Sequence, residues 1–240
     1  MGEFFNLDNK FFQAINKIVD CVCLSVLWVV CCIPVAFTGY LAIETKTLIF
    51  WLISCITVVP AGVATIAVYY AINKVIRHGR SYIWTEFWHS FRSNFKQGAV
   101  ISMILSVVAV LLGLDAYIMY QFALSGEKSG ALYIIFIILL IFEAAWAIYI
   151  FPYVARFENT TKQVLKNTAY MAVANLPKTI IMVVVLGAVV LTVYLFPAIL
   201  VVIPAVFLLL INLLIEKVFR KYMSEEDLLA EEERDREEYN

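Results

Sequence analysis

The stretch TIIMVVVLGAVVLTVYLFPAILVVIPAVFLLLINLLI, Thr179 to Ile215, runs for 37 residues without a charged side chain. As one α-helix rising 1.5 Å per residue it would be about 55 Å long, whereas the hydrocarbon core of a bilayer is about 30 Å thick. Pro197 and Pro204 fall inside it, and each proline removes a helical N–H and crowds the preceding turn. The stretch therefore predicts two short membrane spans, residues 179–196 and 199–215, joined by a tight turn.

Working back toward the N-terminus, four more apolar runs of spanning length appear: residues 18–37, 48–72, 99–122 and 131–153, the last two separated by the polar turn Ser125-Gly126-Glu127-Lys128-Ser129-Gly130. The whole chain of 240 residues is 63% hydrophobic and 15% charged, with a mean hydropathy of +0.87. Soluble domains hold roughly 45–50% apolar residues. The expected fold class is all-α: a polytopic transmembrane helix bundle of about six spans occupying residues 18–215, after an N-terminal amphipathic segment, residues 1–17, and before an acidic tail, residues 216–240. Phe12, Ile15 and Val19 are spaced for one helical face in the first of these, with Asp8 placed to cap it.

Orientation follows from Lys and Arg in short loops. With six spans, one side carries sixteen of the eighteen basic residues and the other only Lys46 and Lys128. Both termini are thus expected in the cytoplasm of a multi-pass cell-membrane protein. The last sixteen residues hold nine acids and two arginines, which gives no nucleic-acid footprint. Glu3 and Asp8 argue against a signal-peptide n-region. The five cysteines, Cys21, Cys23, Cys31, Cys32 and Cys55, lie in or beside apolar runs, where they read as packing residues rather than a disulfide framework or a metal site.

Two cytoplasmic segments carry the most information. In RHGRSYIWTEFWHSFRSNFKQG, residues 77–98, Trp84, Phe87, Trp88, Phe91 and Phe95 share one helical face, and Glu86, His89, Arg92, Ser93 and Lys96 lie away from it. Such a helix suits the membrane interface, aromatics at headgroup depth and cations toward anionic lipid, or else a partner's surface. In the second, residues 151–179, Asn159 or Thr160 is placed to cap a helix running to about Ala174. An offset of 81 residues lays Asn94-Phe95-Lys96 over Asn175-Leu176-Pro177, a hint of a parallel duplication of span, helix and span.

Asn6-Leu7-Asp8-Asn9, Leu27-Trp28, Ile33-Pro34, Asn94-Phe95-Lys96-Gln97, Ala155-Arg156-Phe157-Glu158-Asn159 and Asn175-Leu176-Pro177 together resemble the YesL-like bacterial membrane proteins, a family of unassigned biochemical function. The resemblance covers nearly the whole chain, although Val35 to Thr57 departs from the family's compact form. Members are often encoded beside carbohydrate-uptake transporters, so the resemblance implies an accessory role in saccharide import or its sensing.

Among ionisable residues within spans, Glu143 stands near the centre of the fourth, with no cation at its depth. It is expected to be neutral and to donate to a Ser, an Asn or a carbonyl, or to serve transport or gating. Asp115 lies toward the outer end of the third span. Ser102, Ser106, Ala109 and Gly113 form a small-residue stripe suited to helix packing. No H-E-x-x-H, G-x-S-x-G, Walker or dinucleotide motif occurs, and His78 and His89 lack a carboxylate or Cys partner.

The expected function is non-enzymatic and without a cofactor: a membrane accessory or regulator associated with carbohydrate uptake. It would dock a transporter or other membrane protein through Trp84, Trp88, Phe91, Asn94, Phe95, Lys96, Arg156, Glu158, Asn159, Asn175 and Pro177. Membrane lipids are expected partners, nucleic acid is not, and a homo-oligomer stays open. The alternative is a small secondary transporter or permease subunit with Glu143 and Asp115 along its path.

Overall fold

The computed structural model describes residues 10–77 and 82–223, with side chains from residue 16 to 75 and from 82 to 223. Asp8, His78, Arg80 and the acidic stretch from Ser224 lie outside the described residues, as do the side chains of Phe12 and Ile15. All regular elements among the described residues are helical: α1 (Lys10–Thr45), α2 (Leu48–Thr57), α3 (Val59–Ala71), α4 (Ile83–Ser93), α5 (Phe95–Leu124), α6 (Tyr133–Arg156), α7 (Thr161–Ala174), α8 (Leu176–Leu195) and α9 (Ile203–Tyr222). Five stretches are long and apolar enough to cross a membrane: Asn16–Thr45, Leu48–Val75, Phe95–Leu124, Lys128–Arg156 and Leu176–Leu195.

The long uncharged run breaks where its prolines require. α8 ends at Leu195, a 3-10 turn covers Pro197–Val201, and α9 starts at Ile203 with Pro204 in its first turn. α9 continues through Glu216 and Lys217 to Tyr222 as one helix, so the acidic segment's first residues belong to it. α1 extends past the predicted boundary at Phe37, because Thr38 does not break it. The Thr38 hydroxyl shares a 2.7 Å hydrogen bond with Thr57 across to α2 and also approaches the Pro34 carbonyl. The second apolar run kinks at Val58, two residues before Pro60, whose missing N–H prevents an unbroken helix. At its other end α3 widens into a π-helical turn, Ile72–Arg77.

α3 is the centre of the bundle. Val63, Ala64, Ile66, Ala67, Val68 and Ala71 are fully buried, because four alanines and Gly62 keep its surface thin enough for α1, α5 and α6 to approach. The closest approach is to α5: a Cβ on Gly62 would collide with Ser102, and one on Gly98 would stand 2.8 Å from Ile66 Cδ1. The small-residue stripe of α5 thus serves α3 at Ser102 and α2 at Ser106, whose hydroxyl donates to the Cys55 carbonyl at 3.3 Å.

Polar side chains fasten the remaining helices. Ser25, fully buried in α1, donates to the Val202 carbonyl and accepts from the Ala205 N–H, both at 3.0 Å, and so caps the start of α9. Asn212 of α9 donates to Asn73 at 2.7 Å.

Gly62→Ala is expected to lower stability in detergent by about 1–3 kcal/mol through the forced α3–α5 separation, and Gly62→Ala/Ser102→Gly to recover most of the loss. Thermal unfolding of the purified variants checks this; a single variant as stable as the parent would mean the helices are not held at this spacing.

A candidate functional face at the α4 and α7 end

α4 and α7 lie at one end of the bundle. The Gln97 side chain at the start of α5 donates to the Asn159 carbonyl before α7 at 2.7 Å, and Asn175 after α7 donates to the Tyr222 hydroxyl at the end of α9 at 3.0 Å.

α4 has three sides. Ile83, Glu86, Phe87 and Ser90 are buried, packed toward α3. Glu86 forms a 3.0 Å ion pair with Lys74, whose ammonium also stands 5.6 Å over the Tyr70 ring. This corrects the expectation that Glu86 points away with the polar residues: its charge is compensated from the preceding helix, so it turns inward, and only Phe87 of the aromatics enters the core. The second side is an aromatic ladder in which Trp84, Trp88, Phe91 and Phe95 meet ring to ring at 6.0, 5.3 and 5.9 Å. Trp84 remains 60% exposed and Phe95 43%. Thr85, His89, Arg92 and Ser93 form the third side, all exposed, and Lys96 is exposed just beyond it.

α7 begins with a capping box: the Thr160 hydroxyl accepts from the Gln163 N–H while the Gln163 side chain accepts from the Thr160 N–H. Its inner face, Val164, Thr168, Met171 and Ala172, lies along α6 and is stitched to it. Trp146 donates to Thr168 at 2.9 Å, and the Tyr153 hydroxyl accepts from Asn159 and Asn167 at 3.1 and 3.0 Å. Tyr149 and Thr179 share a hydroxyl pair at 2.8 Å.

The candidate docking residues divide by role. Asn94 is both the last cap of α4 and the first of α5, and donates to the Ser90 carbonyl at 3.2 Å. Asn175 does the same between α7 and α8, donating to Met171 at 2.9 Å. These two, 81 residues apart, are equivalent joints. Asn159 is spent on Tyr153, and the Arg156 guanidinium lies 5.7 Å from the Phe157 ring and 3.6 Å from Met223 Sδ. Trp84, Phe95, Lys96, Glu158 and Pro177 are exposed, with Trp88 and Phe91 partly so.

The intramembrane pair is not brought together. Glu143 is 8% exposed and neither carboxyl oxygen has a hydrogen-bond partner, while Asp115 stands on the exposed side of α5. The expected hydrogen bond from Glu143 is therefore not made. Sequence reading passed over the bonds of Ser25, Trp28 and Trp146. A polar atom alone inside an apolar run was the available signal. Among the described residues, no group of three or more His, Cys, Asp or Glu could hold a metal ion.

These features define an all-helical membrane protein with a structured helical end face. Residues 21–116 match a family model described as a protein of unknown function, DUF624. No curated protein and no solved structure matches the chain.

Lys74→Met, which removes the 3.0 Å ion pair from the buried Glu86 carboxylate, is expected to destabilise by about 1–3 kcal/mol, and more than Lys74→Met/Glu86→Leu does. Equal losses in chemical denaturation would show that the pair is not coupled. Glu143→Leu, which removes a carboxyl that satisfies no partner, is expected to unfold at the same or a higher temperature than the parent; a fall of several degrees would reveal a bonding role.

Proposed function

We propose that this chain is a non-enzymatic accessory or regulatory protein of the cell membrane, with six crossings and both termini in the cytoplasm, that engages a membrane-protein partner through α4 and α7. The observation that carries the reading is the division of α4. One side is locked to α3 by Phe87 and the Glu86–Lys74 pair, while Trp84, His89 and Arg92 stay exposed on a helix that cannot turn to hide them. Tryptophan and arginine are the side chains that most often dominate binding energy at protein interfaces.

The cytoplasmic assignment of this face is supported by the sixteen-to-two distribution of basic residues. α9 serves as the sixth crossing, its Lys217, Arg220 and Lys221 emerging on the same side. In this arrangement the aromatic ladder sits at headgroup depth and the side bearing His89 and Arg92 faces the aqueous phase. The resemblance to YesL-like proteins makes a saccharide-uptake transporter the first partner to seek.

A secondary transporter or permease subunit is the alternative reading, favoured by the buried and unpartnered Glu143 carboxyl. It is the weaker one, since Asp115 faces outward and the cavity of about 430 Å³ between the long helices is apolar and lined by neither residue.

The test is affinity purification in mild detergent from cells growing on a saccharide, with mass spectrometry of what co-purifies. Recovery of transporter subunits with the parent chain, falling about tenfold, equivalent to about 1.4 kcal/mol, in Trp84→Ser/Arg92→Glu, is the expected outcome. Absence of any transporter subunit from the parent preparation overturns the proposal.

A further inference from the structure

α8 stands off the bundle. Only Thr179 and Met182 are buried along its length, and a Cβ placed on Gly187 would meet nothing within 4 Å. Its first turn is held by the Tyr149–Thr179 hydroxyl pair, and its far end continues into the turn at Pro197–Val201. Between these two fastenings, α8 and the bundle enclose an open cavity of about 430 Å³. Its walls include Trp28 of α1, Tyr69 of α3, Ala147 of α6, Val189 of α8 and Pro204 of α9.

The walls offer almost nothing to water. Trp28 donates its indole N–H to Thr65 at 2.9 Å, and Thr65 donates in turn to the Ala61 carbonyl at 2.8 Å, so these two of the three polar side chains in the wall are already engaged, the third being Tyr69. Apolar cavities stay dry, and one of about 150 Å³ takes up benzene; this one is nearly three times larger. Left unfilled, a space of this size would forfeit dispersion contacts of the side chains around it. Four of its walls belong to helices of spanning length, and in a bilayer the molecules beside the exposed Val184, Val190 and Leu191 of α8 are lipid chains.

We infer that the cavity beneath α8 is a lipid site that takes one acyl chain of a membrane phospholipid. The site is separate from the α4 face and rests on the transmembrane placement of the apolar helices, not on any partner. The chain lies between α8 and the α3–α6 wall and fills the space that α8 leaves. Val189 of α8 and Ala147 of α6 both line it, so enlarging either side chain occupies the chain's volume. Leu191, which does not line the cavity, provides the matched control on the same helix.

The test uses the full chain in vesicles of a phosphatidylglycerol that bears a diazirine midway along one acyl chain. After photolysis, labelled peptides are identified by mass spectrometry. Labelling of the peptides containing Ala147 and Val189 is expected, falling about tenfold, equivalent to about 1.4 kcal/mol of chain binding, in Ala147→Phe and in Val189→Phe but not in Leu191→Phe. A folding failure in one substitution is caught by its elution profile, and the other then decides. The outward residues of α5, Val107 and Leu111, report membrane placement independently. If they are labelled while the cavity peptides are not, or if cavity labelling is unchanged in both filling variants, the site is overturned. If no α5 peptide is labelled, the transmembrane placement falls and the site falls with it.

Discussion

In apolar surroundings a backbone N–H or C=O without a partner costs several kcal/mol, because no water is available to replace it. Interruptions of a helix create such groups, and several in this protein are met by specific side chains. Ser25 reaches across from α1 to serve both a carbonyl and an N–H at the start of α9. Thr179 donates to the Ala172 carbonyl near the end of α7 at 2.8 Å. Asn94 and Asn175 return their amides to carbonyls one turn back. The bundle can contain short helices, kinks and reversals because polar side chains stand where the backbone is cut.

The same logic explains why α3 occupies the centre. Small residues permit close packing on several sides, and close packing is the main source of helix association when the surroundings are as apolar as the side chains. Removing the side chain at Gly62 brings in Ser102, and α5 brings α6 through the short turn at Gly126 and the 3-10 turn Lys128–Leu132. Charged and aromatic residues then collect at the end where α4 and α7 lie.

Much of the fold was legible in the sequence because length and proline are strong constraints. The run from Thr179 to Ile215 had to break, and Pro197 and Pro204 said where. A cap at Asn159 or Thr160 was legible from residue type alone; Thr160 takes it, closing a capping box with Gln163 three residues later. The kink at Pro60 was masked by an apolar run of ordinary spanning length. Glu86 was misplaced for a different reason. A helical wheel separates apolar from polar, but α4 has two apolar flanks, and which one meets the bundle depends on Lys74 from another helix. Asn94 and Asn175 were visible as an echo 81 residues apart, whereas their use as joints depends on side chains returning to their own helices.

Those joints have a mechanical consequence. In each case one asparagine ends a helix and begins the next, with no loop residue between them to absorb a rotation. α4 with α5, and α7 with α8, therefore behave as stiff elbows. The short arm of each elbow lies at the end face and its long arm is a helix of spanning length; in the second elbow that long arm is α8, along which only Thr179 and Met182 are buried.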